Sequence, residues 1–163
     1  MPRSFDQISL SRRTLLAAMG SASALAIAAP AKARSYPVNF TEDQWRQRLT
    51  PTQFAILRKA GTERAYSSPL NGEHRSGTFV CPADRNPLFS SKTKFDSHTG
   101  WPSFWKPLPG AVLTATDRTF GMVRTEVRCS RCGGHLGHVF DDGPPPTGKR
   151  YCMNGAAMIF TPG

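Results

Sequence analysis

Cys152 sits in the segment Lys149-Arg150-Tyr151-Cys152-Met153-Asn154, beside two basic residues. Positive charge favours the thiolate, the nucleophilic form of cysteine. On a β-strand Arg150, Cys152 and Asn154 would share one side, because side chains alternate with a period of two. A cation, a thiol and an amide together suit a nucleophile flanked by hydrogen-bonding groups. The plainer alternative is a buried cysteine serving as a small apolar side chain. His135-Leu136-Gly137-His138 supplies two imidazoles able to carry protons near neutral pH. Gly137 and the β-prone flank argue against a helical metal clamp there. Gly100-Trp101-Pro102-Ser103-Phe104-Trp105 is a Gly/Pro turn dense in aromatics. It reads either as a core corner or as an apolar wall for a small methyl-bearing group.

The other cysteines have metal-ligand spacing. Cys129-Ser130-Arg131-Cys132 is a C-x-x-C followed by two glycines, and two thiolates so spaced can hold one zinc from a tight knuckle. A structural zinc takes four ligands. Cys81-Pro82-Ala83-Asp84 repeats the spacing with a carboxylate in the second position, so Cys81, Asp84, Cys129 and Cys132 form a candidate set. Three thiolates and a carboxylate would crowd negative charge around a dication, which N–H donors or Arg131 would have to offset. Two other uses compete: a redox pair, although no βαβ pattern surrounds it, and a plain disulfide within the pair or with Cys81.

The elements that must position these groups are mostly strands. Thr41 is an N-cap, and Trp45 and Leu49 lie four apart, so residues 42–49 suit a short helix. Pro51 restarts a helix, with Gly61 as its stop. Residues 62–76 read as a loop. From Gly77 onward, β-prone runs alternate with turn residues: 78–80, 88–89, 111–116, 122–127, 136–140, 150–153 and 157–161. Along residues 122–129, Val123, Val127 and Cys129 alternate with Arg124, Glu126 and Arg128, the pattern of a half-buried strand. The expectation is a helical N-terminal arm over 34–76 on an antiparallel β core over 77–163, with 34–163 as one domain.

Residues 1–33 read as an address. Arg12-Arg13 precede an apolar run from Leu15 to Ala29, and Ala31-Lys32-Ala33 offers small residues where a signal peptidase cuts. This resembles a twin-arginine export signal, with cleavage expected after Ala33 (or Ala31) and a periplasmic destination. The alternative is a membrane anchor that stays attached, but the run is short for a membrane span and ends in a small-residue site, so membrane contact is expected only during export. The chain carries 21 basic and 11 acidic side chains; without residues 1–33 the balance is 17 to 10, or +7. The excess is scattered, which excludes a nucleic-acid groove. Hydrophobic residues at 39% exclude general disorder, and four cysteines in 163 residues exclude a disulfide-scaffold miniprotein.

Taken together, the segments 87–90 (PLFS), 94–97 (KFDS), 100–104 (GWPSF), 124–127 (RTEV), 135–144 (HLGHVFDDGP) and 150–154 (RYCMN) resemble the methionine sulfoxide reductase B family. They occur in that family's order and span roughly residues 39–162. The resemblance implies a mainly β fold of two small antiparallel sheets, a tent of the Mss4-like kind, with short N-terminal helices. It implies thiol-dependent reduction of R-methionine sulfoxide in proteins, with Cys152 attacking the sulfoxide sulfur. His135, His138 and Asn154 would orient and protonate the oxygen, Arg150 would favour the thiolate, and Trp101 and Phe140 would hold the methyl group. It further implies structural zinc, no organic cofactor, a thioredoxin-like or other thiol reductant, and a monomer.

The chain departs from the family pattern twice. Thr99 stands where many members carry a resolving cysteine, and Asp84 stands where zinc-bearing members carry the fourth thiolate. Either the metal binds through three thiolates and Asp84 while an external thiol resolves the oxidised Cys152, or Cys81, Cys129 or Cys132 does the resolving. Two further readings come from other classes: a metal-dependent binding module of the same fold without catalysis, and a Cys–His hydrolase, for which no local cysteine motif speaks.

Overall fold

The computed structural model describes residues 35–163. The export segment expected over residues 1–33 lies outside the described residues. Helix α1 (Glu42–Arg48) begins at Thr41, whose side chain accepts from Gln44 N–H while Gln44 reaches back to Thr41 N–H. Helix α2 (Pro51–Lys59) repeats this reciprocal cap with Thr50 and Gln53. Such caps satisfy orphan N–H groups and are worth about 1 kcal/mol each. The helices bury Trp45, Phe54, Ile56 and Leu57. Their exposed side is laced by Glu42, which pairs with both Arg46 and Lys59. The stop of α2 differs from the expectation by one residue. Ala60 takes the left-handed position (φ 53°), and Gly61 instead passes close to the helix, where a Cβ would lie 2.9 Å from the Ala55 carbonyl oxygen. Among the described residues no helix is long and apolar enough to cross a membrane.

Nine short strands follow: β1 (Gly77–Val80), β2 (Pro87–Ser90), β3 (Lys94–Phe95), β4 (Ser103–Phe104), β5 (Val112–Asp117), β6 (Arg124–Cys129), β7 (His135–Phe140), β8 (Arg150–Met153) and β9 (Ile159–Pro162). They form two antiparallel sheets, one of three strands ordered β2-β1-β9 and one of six ordered β3-β4-β8-β7-β6-β5. The mainly β, two-sheet fold with short N-terminal helices is therefore as expected. β3 and β4 were not foreseen, because two-residue strands carry no periodicity. The sheets meet through aromatics. Phe104 of β4 stacks on Phe89 of β2 at 4.4 Å and meets Phe79 of β1 edge-on at 4.9 Å.

Pleating sorts the larger sheet into two chemistries. In the β6–β7–β8 register Glu126 lies opposite His138 and His138 opposite Cys152, while Val127 lies opposite Gly137 and Gly137 opposite Met153. Alternation then places Val127, Met153 and Phe104 on the core face, all fully buried. Each contributes about 1.5–3 kcal/mol of burial. The opposite face carries Asp117, Arg124, Glu126, His138, Phe140, Arg150 and Cys152. A register shift at Val127/Arg128 pairs Arg128 with His135, so Leu136 is an extra residue. Without that bulge His135 and His138, three apart, would point to opposite faces. With it their rings lie 5.4 Å apart.

Candidate functional site

A cavity of about 130 Å³ opens on the polar face. Its lining includes Cys152, His138, Phe140, Trp101, Asn154 and Arg124. Gly137 also borders it, because a Cβ there would lie 2.2 Å from the Cys152 carbonyl oxygen; β7 and β8 could not pair so closely with any side chain at 137. Cys152 is partly exposed and free. Its Sγ lies 3.8 Å from Thr99 Oγ1, at the end of a hydroxyl chain in which Ser97 Oγ bridges Thr99 at 2.8 Å and Ser103 at 2.7 Å. Position 99 therefore touches the thiol, which is the relation the resemblance implied for it.

The walls are held by a residue that sequence reasoning passed over as loop. Glu63 accepts Trp101 Nε1–H through its carbonyl at 3.2 Å and donates its N–H to Asn154 Oδ1 at 3.0 Å. Its carboxylate accepts from the N–H groups of Gly155 and Ala156 at 2.6 and 2.9 Å. Asn154 is buried and does not continue the strand as expected. β8 ends at Met153, and Asn154 caps a 3₁₀ turn while donating to the Leu136 carbonyl at 3.1 Å. It still borders the cavity, from the floor. Arg150 lies on the Cys152 face as expected; its guanidinium pairs with Asp142 at 2.8–2.9 Å and lies over Phe140 at 4.4 Å, and Asp142 first, then Cys152, raise its pKa.

The two histidines belong to separate carboxylate pairs. His138 Nε2 lies 2.8 Å from Asp117 Oδ2, which also receives Arg124 Nη2 at 2.7 Å. Thr119 side-chain and backbone bonds, then His138 and Arg124, hold the Asp117 carboxyl well below the usual carboxylate range. Burial pushes the His138 pKa down; Asp117 opposes that, while Arg124 and His135 add to it. His135 is buried, with Nδ1 on Glu126 Oε1 at 2.7 Å, and its Nε2 has no partner among the described residues. It does not border the Cys152 cavity, but lines a second one with Glu126, Arg128 and Arg58. Burial opposes ionisation of Glu126, yet His135 and Arg128 hold its pKa at about 2. Asp117, Arg124 and Glu126 were not singled out from sequence. The only signal for Arg124 and Glu126 was the alternating pattern of residues 122–129 and the RTEV match; Asp117 had none.

On the core side, Cys81, Asp84, Cys129 and Cys132 offer ligand atoms all within 4.8 Å of one another. They come from two matching knuckles. Cys81 N–H donates to Asn86 O at 2.8 Å, and Cys129 N–H to Gly134 O at 2.9 Å. Left-handed Arg85 and Gly133 turn the two loops. Gly133 is also pressed on by the Tyr36 ring, where a Cβ would be 2.3 Å away. Cys81 and Cys132 Sγ are 3.8 Å apart, and Cys129 Sγ is 3.4 Å from Asp84 Oδ2. A tetrahedral dication bound at ~2.3 Å from sulfur and ~2.0 Å from oxygen requires about 3.8 and 3.5 Å. The donor set fits a metal. Bonds from Cys132 and Cys81 hold the Cys129 thiol low, whereas Cys129 beside them pushes Cys81 up and Cys132 to about 12. Three thiolates can coexist here only with a cation among them. The offsetting donor is Arg58, not the exposed Arg131: its Nη2 lies 3.5 Å from Cys132 Sγ, and Asn86 Nδ2 lies 3.4 Å from Cys129 Sγ. All four cysteines are free of disulfides.

The family model described as the SelR domain matches residues 49–162. The chain is similar to the peptide methionine sulfoxide reductase MsrB of Agrobacterium fabrum, with 56% identity over 126 residues, 77% of this chain and 93% of that one. It is 57% identical to the protein of the same name from Thiobacillus denitrificans over 123 residues, 75% and 93% of the two chains. To that of Leptospira interrogans it is 51% identical over 127 residues, covering 77% and 97%.

Proposed function

The chain belongs to the SelR-domain family of peptide methionine sulfoxide reductases, oxidoreductases of the B type, and on that footing we propose that it reduces R-methionine sulfoxide in exported proteins through Cys152. The observation that carries this reading is the placement of a partly exposed free thiol in a small cavity walled by Trp101 and Phe140, with His138 directly across the strand pair. About 130 Å³ admits a methylsulfinyl group on a short stem; a cavity of roughly 150 Å³ holds a benzene. The indole and phenyl faces take the methyl group, and a protonated imidazole meets the oxygen while sulfur attacks sulfur. Proton donation and approach must coincide, because sulfoxide oxygen leaves poorly until it is protonated. Oxygen passes to Cys152, which becomes a sulfenic acid, and the thioether departs.

An external thiol, from a thioredoxin-like protein or a smaller donor, then reduces Cys152 in two exchange steps. Thr99 beside Sγ cannot form a disulfide, and Cys81, Cys129 and Cys132 are buried; Cys129 leaves the core face of β6, away from the cavity. Zinc is the proposed ion of the Cys81, Asp84, Cys129 and Cys132 cluster. Bound there it would tie the β1–β2 and β6–β7 loops together and serve structure alone. Arg12-Arg13 and the apolar run after them support export by the twin-arginine route to the periplasm.

The test is reduction of a peptide carrying each sulfoxide epimer, with dithiothreitol as donor. Turnover confined to the R epimer and abolished in Cys152→Ser is expected. Turnover of the S epimer, or full activity in that variant, would contradict the reading. A metal-binding module without catalysis would hold the ion and turn over neither epimer.

A further inference from the structure

Asp117 belongs to β5, the strand farthest from Cys152 in the run β8-β7-β6-β5, yet its carboxylate reaches His138 at 2.8 Å. Three groups prepare that carboxylate. Thr119 N–H and Oγ1–H bind Oδ1 at 2.9 and 2.7 Å, and Arg124 Nη2 binds Oδ2 at 2.7 Å. A carboxylate so bonded is ionised and can only accept hydrogen bonds. Nε2 of His138 must therefore donate, and in the neutral ring the lone pair is on Nδ1. His138 lies in register with Cys152, and both border the cavity. Nδ1 is the only ring nitrogen left for that side.

We propose that Asp117 is a positioning residue that fixes His138 in the Nε2–H tautomer, so that Nδ1 takes the Cys152 thiol proton and returns it to the sulfoxide oxygen. This rests on the reading of Cys152 as the attacking nucleophile. The balance closes without a further reactant. The S–H bond of Cys152 breaks and its proton moves to Nδ1. The thiolate bonds to the substrate sulfur; oxygen then passes to the Cys152 sulfur as the sulfur–oxygen bond of the substrate and the new sulfur–sulfur bond both break, releasing the thioether. The Nδ1 proton then completes Cys152–S–OH. Cysteine sulfur is oxidised and substrate sulfur is reduced by the same electron pair. A carboxylate behind the imidazole stabilises the imidazolium formed midway.

The charged groups facing His138 make this balance specific. Asp117 favours the imidazolium, Arg124 and His135 disfavour it, and burial disfavours it too. Glu126 lies opposite His138 in the β6 register but is committed to His135 and Arg128. Arg150 on β8 is committed to Asp142. Asp117 is thus the one carboxylate bonded to this ring among the described residues.

The experiment is nitrogen-15 NMR of histidine-labelled, substrate-free protein, together with single-turnover kinetics of Asp117→Asn across pH. In the unaltered protein the His138 proton is expected on Nε2; finding it on Nδ1 overturns the proposal whatever any variant does. Asp117→Asn is expected to slow the first turnover about 10²-fold with little change in KM. It should also slow alkylation of Cys152 at neutral pH. The acid limb of the rate profile should move to lower pH, because the imidazolium has lost its support. An unchanged first-turnover rate in a variant whose melting temperature is preserved overturns the proposal as well. If the Nε2 tautomer is found but no sulfoxide is reduced, the functional reading fails and the assignment of Asp117 stands.

Discussion

Cys152 and the trio Cys81, Cys129 and Cys132 are the same side chain in opposite surroundings, and the surroundings suit them to different chemistry. The trio is buried to within 3% exposure, in two tight knuckles, with sulfur atoms and a carboxylate as mutual neighbours. Crowding makes simultaneous ionisation unfavourable unless a cation shares the site, so the cluster is suited to holding a metal rather than to attack. Cys152 is partly exposed, the Thr99 hydroxyl lies 3.8 Å from its sulfur, and its cavity is lined by Arg124, His138, Asn154 and two aromatic rings. Ligation demands several donors converging with no room left over, whereas nucleophilic attack demands one sulfur with room before it. β6 touches both, with Glu126 on the cavity face and Cys129 on the core face.

The sharpest way to break this contrast is to exchange the consequences of losing a thiol. Cys152→Ser is expected to lower sulfoxide turnover by roughly 10³-fold or more while leaving metal content and melting temperature in place. Cys129→Ser, or strong chelation, is expected to do the reverse first: release the metal and cost at least about 3 kcal/mol, a fall in melting temperature of about 10 °C. Metal analysis and calorimetry on the two variants decide it. A Cys152→Ser protein that loses its metal, or a Cys129→Ser protein that melts normally, would mean the two regions are not separate devices. Within the cluster, Asp84→Cys should tighten metal binding and slow its release to a chelator, since a thiolate replaces a carboxylate whose pKa burial already raises.

A smaller effect sharpens what the cavity face contributes to stability. Glu126 is held at about 2, against 4.5 for a free glutamate, by His135 and Arg128 working against burial. A depressed folded-state pKa contributes stability that is fully present above pH 4.5 and is lost as pH falls toward 2. The contribution is on the order of 3 kcal/mol. Glu126→Gln should lose it at neutral pH, and its stability should then vary less than the unaltered protein's between pH 4.5 and 2. Denaturant unfolding across that window measures it; parallel curves for the two proteins would show that the His135 pair adds nothing.

The contrast between the cysteines was largely legible in the sequence. The C-x-x-C spacing, its echo at Cys81 and Asp84, and the cations beside Cys152 all act through short-range chemistry that spacing records. The supporting carboxylates were not legible. Asp117 reaches His138 across the intervening strand β6, Glu63 reaches Trp101 from 38 residues away, and both contacts exist only once register is set. The bulge that turns His135 and His138 to one face is one residue of register, which alternation alone cannot place. Arg58 likewise reaches Cys132 from α2, over 74 residues of sequence, whereas Arg131, adjacent in sequence, points to solvent.

The smallest expected effect on rate tests the contrast most directly, by giving Cys152 the one thing the trio has, which is a second sulfur. Thr99 Oγ1 lies 3.8 Å from Cys152 Sγ, so a thiol in its place needs only a side-chain rotation to reach bonding distance. Thr99→Cys should leave the first turnover within about threefold, because attack on the sulfoxide precedes any resolving step. What should change is the product. The unaltered protein is expected to end its first turnover with a sulfenic acid at Cys152 and no new disulfide. The variant ends it two free thiols short, with residues 99 and 152 joined. Thiol counting and peptide mapping after one equivalent of substrate read this directly. If the unaltered protein also loses two thiols, one of the three buried cysteines has reached Cys152. Burial and the opposite face of β6 would then have failed to keep the two kinds of sulfur apart.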